Sequence, residues 1–344
     1  MKKPPHYFHE DGNDVIADGA STLVGMLRLR ARQQAHKAAY TFLADGGSQA
    51  FSLSYGELDR QARTIAANLQ AFGLQGERAL LLYAPGLDYI AAFFACLYAG
   101  VIAVPAYPPR NQRNLPRLQA VLADSRAAAI LSTAALAGSA TVSAWQNAGG
   151  LKQRWLLTDT LTDGADAWLD PCPGEASLAF LQYTSGSTGN AKGVMVSHGN
   201  LMANQQLIKA CFGHDSESAV VGWLPLYHDM GLIGNIMQPL YSGASVILMS
   251  PLAFLEQPLR WLQAIADYRA HTSGGPNFAY DLCVRKISDE DKAGLDLGSW
   301  RLAFNGAEPV QAATLDRFEQ AFAGCGFRRE AFYPCYGLAE ATLL

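Results

Sequence analysis

Apolar positions recur along this chain in two alternating rhythms. After a polar opening without regular period, Ser54-Tyr55-Gly56-Glu57 sets a hydroxyl three residues before a carboxylate, the pattern of a helix capping box. Leu58, Ile65 and Leu69 follow at helical spacing as far as Gly73. Residues 79–83 are a continuous apolar run, as expected of a strand buried on both faces. Pro85-Gly86 turns that run into a helix from Tyr89, which Gly100 caps. The rhythm repeats with strands at 101–104, 128–131 and 155–157 and a helix around 115–123. Between residues 138 and 174 Ala, Gly, Thr and Asp dominate and the period fades. Alternation then resumes with strands at 178–183, 219–223, 245–249, 272–274, 302–304 and near 331–333. Helices are expected between them: from Asn200, from Met230 to Gly243, and at about 256–268, 278–284 and 312–322. Strands alternating with helices over short connections predict an α/β fold with mostly parallel sheets covered by helices. The loss of pattern marks a boundary between a first α/β subdomain, 1–175, and a second, 176–344.

The bulk numbers narrow the class. Half of the 344 residues are hydrophobic and 16% are charged, enough for a large core. A formal net charge of −4 argues against a nucleic-acid partner held by a general basic surface. The six cysteines are scattered, with no C-x-x-C pair, which reads as free thiols in a reducing cytoplasm. Met1-Lys2-Lys3-Pro4-Pro5-His6 leads into no apolar signal region. The apolar stretch 87–106 is broken by Asp88, Gly100 and Pro105, so it reads as a buried helix and strand and no transmembrane segment is expected.

Chemistry concentrates first in residues 184–194. Thr184, Ser185, Ser187 and Thr188 supply four hydroxyls, Gly186, Gly189 and Gly193 three glycines, and Lys192 a cation. Glycines let backbone N–H groups approach a ligand, successive N–H groups favour anions, and the lysine suits phosphate oxygens, so the stretch reads as a polyphosphate cradle. A plain Ser/Gly surface loop has a similar composition. A Walker A loop needs Ser or Thr after its lysine and a helix directly behind it; here Gly193 follows and Val194-Met195-Val196 reads as a strand. Next comes Trp223-Leu224-Pro225-Leu226-Tyr227-His228-Asp229, at a strand end where α/β sheets place ligands. His228 can serve as general base, as donor to a carboxylate or phosphate, or merely as a cap. Gly231 and Ile233 suit a tunnel wall and equally a core helix. Gly275, Asn277 and Phe278 lie in a strand-to-helix turn whose glycines fit either close approach of a ligand or an ordinary connection.

Residues 184–194 resemble the signature loop of the adenylate-forming superfamily, with Ala191 where most relatives carry Pro. Leu224-Pro225-Leu226-Tyr227-His228 resembles the segment beside the acyl site of that family. Arg301-Leu302-Ala303-Phe304-Asn305-Gly306-Ala307-Glu308-Pro309 resembles the segment lining its adenine pocket. Tyr336-Gly337-Leu338-Ala339-Glu340 is similar to its Tyr-Gly-x-Thr-Glu motif, Ala339 replacing the commoner Thr. Within the superfamily, residues 104–109, 224–232 and 336–343 carry the spelling of fatty acyl-AMP ligases. The resemblance implies the large N-terminal domain of such an enzyme, ATP and Mg²⁺ as cofactors, and activation of a fatty acid to acyl-adenylate with release of pyrophosphate. It further implies transfer to the phosphopantetheine arm of an acyl carrier protein in lipopeptide, polyketide or complex-lipid synthesis. Lys192 and His228 would be catalytic, and Glu340 would reach the metal. The nucleotide would lie on Thr184, Ser185, Gly186, Ser187, Thr188, Gly189, Lys192, Asn305, Gly306, Ala307, Glu308, Tyr336 (stacked on adenine) and Gly337. The acyl chain would meet His228, Gly231, Ile233, Gly275, Asn277 and Phe278. By the same resemblance the chain is expected to stop before a β-barrel and a small lysine-bearing domain, leaving adenylation weak in isolation. A fatty acyl-CoA synthetase and a non-catalytic nucleotide-binding module are the alternative readings.

Overall fold

Burial on both faces decides which apolar runs become strands. The computed structural model describes residues 19–47, 49–109, 111–147, 152–184 and 192–344. Among them are β1 (Ala38–Leu43), β2 (Ala50–Ser54), β3 (Arg78–Leu82), β4 (Ile102–Ala106), β5 (Ala129–Ser132), β6 (Arg154–Leu157) and β7 (Leu178–Tyr183). They continue with β8 (Gly193–Ser197), β9 (Ala219–Gly222), β10 (Ser245–Met249), β11 (Thr272–Gly275), β12 (Leu302–Asn305) and β13 (Phe332–Pro334). A seven-stranded sheet runs β13-β12-β11-β9-β10-β1-β2, and a six-stranded sheet runs β6-β5-β3-β4-β7-β8. All pairings are parallel except β1 with β2 and β7 with β8, which lie at one edge of each sheet.

The helix Leu87–Ala99 shows why the sheets meet. Every residue from Tyr89 to Ala99 is buried, so it has no solvent face, and Gly100 ends it in the left-handed region at φ 66°. Its Phe93 and Phe94 share one apolar cluster with Tyr40, Val246 and Leu248 of the larger sheet and Leu81, Ala103 and Phe180 of the smaller one. The far face of the larger sheet packs Val221, Ile247 and Ala303 under Trp261, Tyr280, Trp300 and Phe318. The far face of the smaller sheet packs Leu80, Val104 and Ile130 under Leu118, Val121 and Trp145. Each large side chain buried in this way contributes about 1.5–3 kcal/mol of apolar transfer.

Several expectations change. The opening is not irregular throughout: Leu23–Gln33 is a helix, started by the Thr22 hydroxyl accepting from the Gly25 N–H at 3.1 Å. Its inward face includes Arg30, a charged residue that breaks the apolar period. The guanidinium lies buried because it donates to the Leu240 and Tyr241 carbonyls at 3.2 and 2.6 Å, near the end of the helix Gln238–Ser242. The helix expected at 256–268 is Leu259–Asp267, and a further helix, Pro251–Glu256, precedes it, parted from it at Gln257-Pro258 because proline cannot donate to the preceding turn. The segment Met230–Met237 winds as a wide π-type helix before Gln238–Ser242. Neither sheet respects a division at residue 175: β1 and β2 join the larger sheet, and β7 and β8 the smaller. No helix among the described residues is long and apolar enough to cross a membrane.

Candidate active site

The parallel strands of the larger sheet all deliver their following loops to one edge, where α/β sheets bind ligands. A cavity of about 350 Å³ lies there. Thr184, directly after β7, lines it together with His228 and Asp229, which follow β9, and Gly306 and Ala307, which follow β12. Tyr336, Gly337 and Glu340, after β13, complete its outer part. Four stretches up to about 150 residues apart in sequence thus meet at one opening. Tyr336 is 82% exposed at the rim, and Glu340 is exposed as well. Ala307 sits at φ 68°, an uncommon backbone for a residue with a Cβ, and this turns the chain sharply at the cavity wall.

His228 is the most strongly oriented of these groups. Its backbone N–H donates to the Pro225 carbonyl at 3.1 Å, and its Nδ1 lies 2.6 Å from Asp229 Oδ1. The same carboxylate oxygen accepts from the Met230 N–H at 2.6 Å, so one side chain both starts the following helix and sets the imidazole. The hydrogen bond to Asp229 raises the His228 pKa above its ordinary value; partial burial opposes the rise and the aspartate charge adds to it. The segment is further tied down by the Tyr89 hydroxyl donating to the Leu226 carbonyl at 2.8 Å and by Gln182 Nε2 donating to the Tyr227 carbonyl at 3.0 Å.

The other expected residues occupy different places. Ser185, Gly186, Ser187, Thr188 and Gly189 lie outside the described residues. Lys192, exposed, immediately precedes β8 and is not part of the cavity lining. Gly231 is not part of it either: a Cβ there would stand 2.1 Å from the Pro225 carbonyl oxygen, so the glycine permits two backbone segments to touch. Ile233 is fully buried in the core. A Cβ on Gly275 would stand 2.6 Å from the Trp223 ring, which fills the space left by the missing side chain. Asn277 is a buried bracket, its Oδ1 accepting from the Gln311 N–H at 3.0 Å and its Nδ2 donating to the Thr314 hydroxyl at 3.3 Å. Asn305 is buried and reaches that same Asn277 Oδ1 at 3.4 Å. Glu308 Oε1 accepts from the Phe278 N–H at 2.6 Å, capping the helix Asn277–Lys286, while the Phe278 ring stands edge-on to Trp223.

The inner part of the cavity was legible only in places: Gly234 is small enough for a tunnel wall, and Met230, Phe304 and Leu343 fall within stretches 224–232, 301–309 and 336–343. Ile208, Phe212, Met230, Gly234, Phe304 and Leu343 give it apolar walls, and His214 and Thr272 add two polar side chains. Nothing in the spacing marks Ile208, Phe212, His214 or Thr272: Phe212 and His214 flank the Gly213 that ends the helix His198–Phe212, and Thr272 begins a strand. Burial drives the pKa of His214 down to about 4, so its ring is neutral. Among the described residues, no group of three or more His, Cys, Asp or Glu side chains is placed to hold a metal ion by itself.

The chain is similar over most of its length to known proteins. A medium-chain-fatty-acid–[acyl-carrier-protein] ligase of Moorena producens is 48% identical over 329 residues, 94% of this chain and 56% of the relative. A long-chain-fatty-acid–AMP ligase of Mycobacterium marinum is 40% identical over 331 residues, 94% of this chain and 57% of the relative. The crystal structure of a fatty acyl-adenylate ligase from L. pneumophila, solved with acyl adenylate and pyrophosphate, superposes with a TM-score of 0.88 at 46% identity, over 95% of this chain and 57% of that one. The chain therefore spans little more than half the length of these relatives. Residues 27–344 match the family described as AMP-binding enzyme, and the chain belongs to that family.

Proposed function

We propose that this chain forms the acid-activating part of a fatty acyl-AMP ligase of the cytoplasm. It would join a fatty acid to AMP from ATP, release pyrophosphate, and present the acyl-adenylate to the thiol of an acyl carrier protein. The observation that carries this reading is one cavity whose mouth combines Thr184 with the exposed His228, Tyr336 and Glu340 and whose buried interior is largely apolar. The relatives named above act on fatty acids, which supports a long apolar tail for the interior.

In this reading the acid carboxylate attacks the α-phosphorus of ATP and the bond to the pyrophosphate oxygen breaks. Two anions must therefore be brought together, and the protein's work is positioning and charge stabilisation. His228, kept cationic to higher pH by Asp229, offers its other ring N–H to an incoming oxyanion. Thr184 adds a hydroxyl, Lys192 a mobile positive charge, and Tyr336 an exposed ring for the adenine. The donor set suits Mg²⁺: a hard, six-coordinate cation is usually held by one or two carboxylates plus substrate phosphates and water, and Glu340 is an exposed carboxylate on the wall. Such an ion, held by Glu340 and the phosphates, would neutralise charge on the leaving pyrophosphate.

The test is pyrophosphate release by the full-length protein with a panel of fatty acids, followed by acceptor competition between CoA and a phosphopantetheinylated carrier protein. Fatty-acid-dependent release with acyl transfer to the carrier is the expected result. Release without any fatty-acid dependence refutes the reading, and transfer to CoA alone replaces the acceptor.

A further inference from the structure

The cavity is graded from outside to inside. Its mouth residues Tyr336, Glu340, Ala307 and His228 are exposed, whereas Thr272, His214 and Ile208 are at most 4% exposed. Strand register gives the direction of the grade. Asn305 pairs with Gly275 at the binding edge of the sheet, whereas Thr272 is the first residue of β11, three residues earlier. At about 3.3 Å per residue the cavity runs about 10 Å down one face of the sheet. Thr272 and Phe304 belong to that face, because Phe304 pairs with Gly274, two residues from Thr272.

The far end is closed by hydrogen bonds rather than by packing alone. His214 Nε2 and the Thr272 hydroxyl are 2.8 Å apart, and the same hydroxyl is 2.8 Å from His271 Nδ1. Phe212 stands edge-on to the His214 ring at 5.5 Å and lies between it and Tyr333. An aliphatic end wall can change rotamer to admit a longer guest. A buried neutral imidazole that swings aside leaves its own Nε2 unpaired and the Thr272 hydroxyl with His271 alone, which is the expensive direction.

We propose that His214, locked by Thr272, is the stop that limits the length of acyl chain this pocket accepts, a specificity-determining residue rather than a catalytic one. The inference rests on the acyl-adenylating reading above. It is tested by calorimetric binding of alkanoyl sulfamoyladenosines of increasing chain length, which need no turnover. Each methylene accommodated in an apolar wall strengthens binding about fourfold, from ~0.8 kcal/mol per buried CH₂. The wild-type protein is expected to climb that ladder to a definite length and then fall. His214→Ala moves the break to longer chains, and Thr272→Val, which keeps the volume but removes the hydroxyl, makes the fall shallower at an unchanged break. The stop is overturned if His214→Ala binds the short analogues like wild type and breaks at the same length. Should His214→Ala fail to fold, an unchanged fall in a folded Thr272→Val overturns it equally. Wild-type protein that binds none of the analogues overturns the adenylating reading, and the stop with it.

Discussion

Gly231 separates two explanations of the segment after His228. If it lined an acyl tunnel, a methyl group there would shorten the accepted chain and leave stability alone. In the structure the added Cβ would stand 2.1 Å from the Pro225 carbonyl oxygen, 2.8 Å from its carbon and 3.2 Å from the Leu224 oxygen. All three are backbone atoms, so no rotamer relieves the clash; the turn that carries His228 has to move. Overpacking of this kind costs about 1–3 kcal/mol, and the upper end applies where only backbone can yield. Alanine regains about 1 kcal/mol over glycine within a helix, leaving a net loss of about 2 kcal/mol for Gly231→Ala. Gly234, one turn on, is the control: its Cβ would meet only a Leu343 methyl at 3.9 Å, and the residue does line the cavity. Gly234→Ala should keep or slightly raise stability while altering acyl binding. Urea denaturation of both variants, with acyl-adenylate analogue binding, gives the answer. A Gly231→Ala protein within ~0.5 kcal/mol of wild type, with only its chain-length preference changed, would refute this packing account.

Other expectations follow from the same geometry. Asp229→Asn should move the high-pH limb of the rate profile to lower pH, because a histidine with a raised pKa loses its charge as pH climbs through that value and the aspartate bond is the largest cause of the rise; a limb that stays in place excludes His228 as the group titrating there. Glu340→Gln, at an exposed side chain, should change unfolding free energy by less than ~0.5 kcal/mol yet weaken Mg-ATP use roughly tenfold or more, read from the Mg²⁺ dependence of pyrophosphate release. His198 and His214 are buried, and burial takes both from 6.5 down to about 4. The unfolded chain therefore takes up protons first as pH falls, so their stabilisation is complete above 6.5 and lost progressively toward 4, at up to ~1.4 kcal/mol per pH unit for each. Denaturation midpoints at pH 7 and pH 5 measure that slope, and His198→Leu should remove one share of it.

Much of the fold was written in local pattern because most strands are buried on both faces and most helices carry a cap. The Ser54 box, the Gly100 stop and the apolar run before Tyr83 all appear as read. What escaped reading depended on partners distant in sequence. Arg30 looks like a surface residue until the carbonyls of Leu240 and Tyr241, some 210 residues away, are placed against it. The mouth of the site was legible because its residues form short runs with unusual chemistry. The far end of its interior was not, since Phe212, His214 and Thr272 come together only through the tertiary fold. Glycines misled in the opposite direction: at 231 and 275 the missing Cβ makes room for the Pro225 carbonyl and the Trp223 indole.

The interleaving of the two sheets bears on how the polypeptide matures. Tyr40 of β1 finds its parallel neighbour in Val246, so an emerging chain makes more than two hundred residues before that contact exists. Until then the β1–β2 hairpin has one open, apolar side, and a two-stranded hairpin alone is marginal in water. Such long-range pairing slows folding and leaves sticky surface waiting for its cover. Separate expression of the two halves would strand each sheet without members it needs, and a cell producing this protein has reason to shield the β1–β2 pair during synthesis.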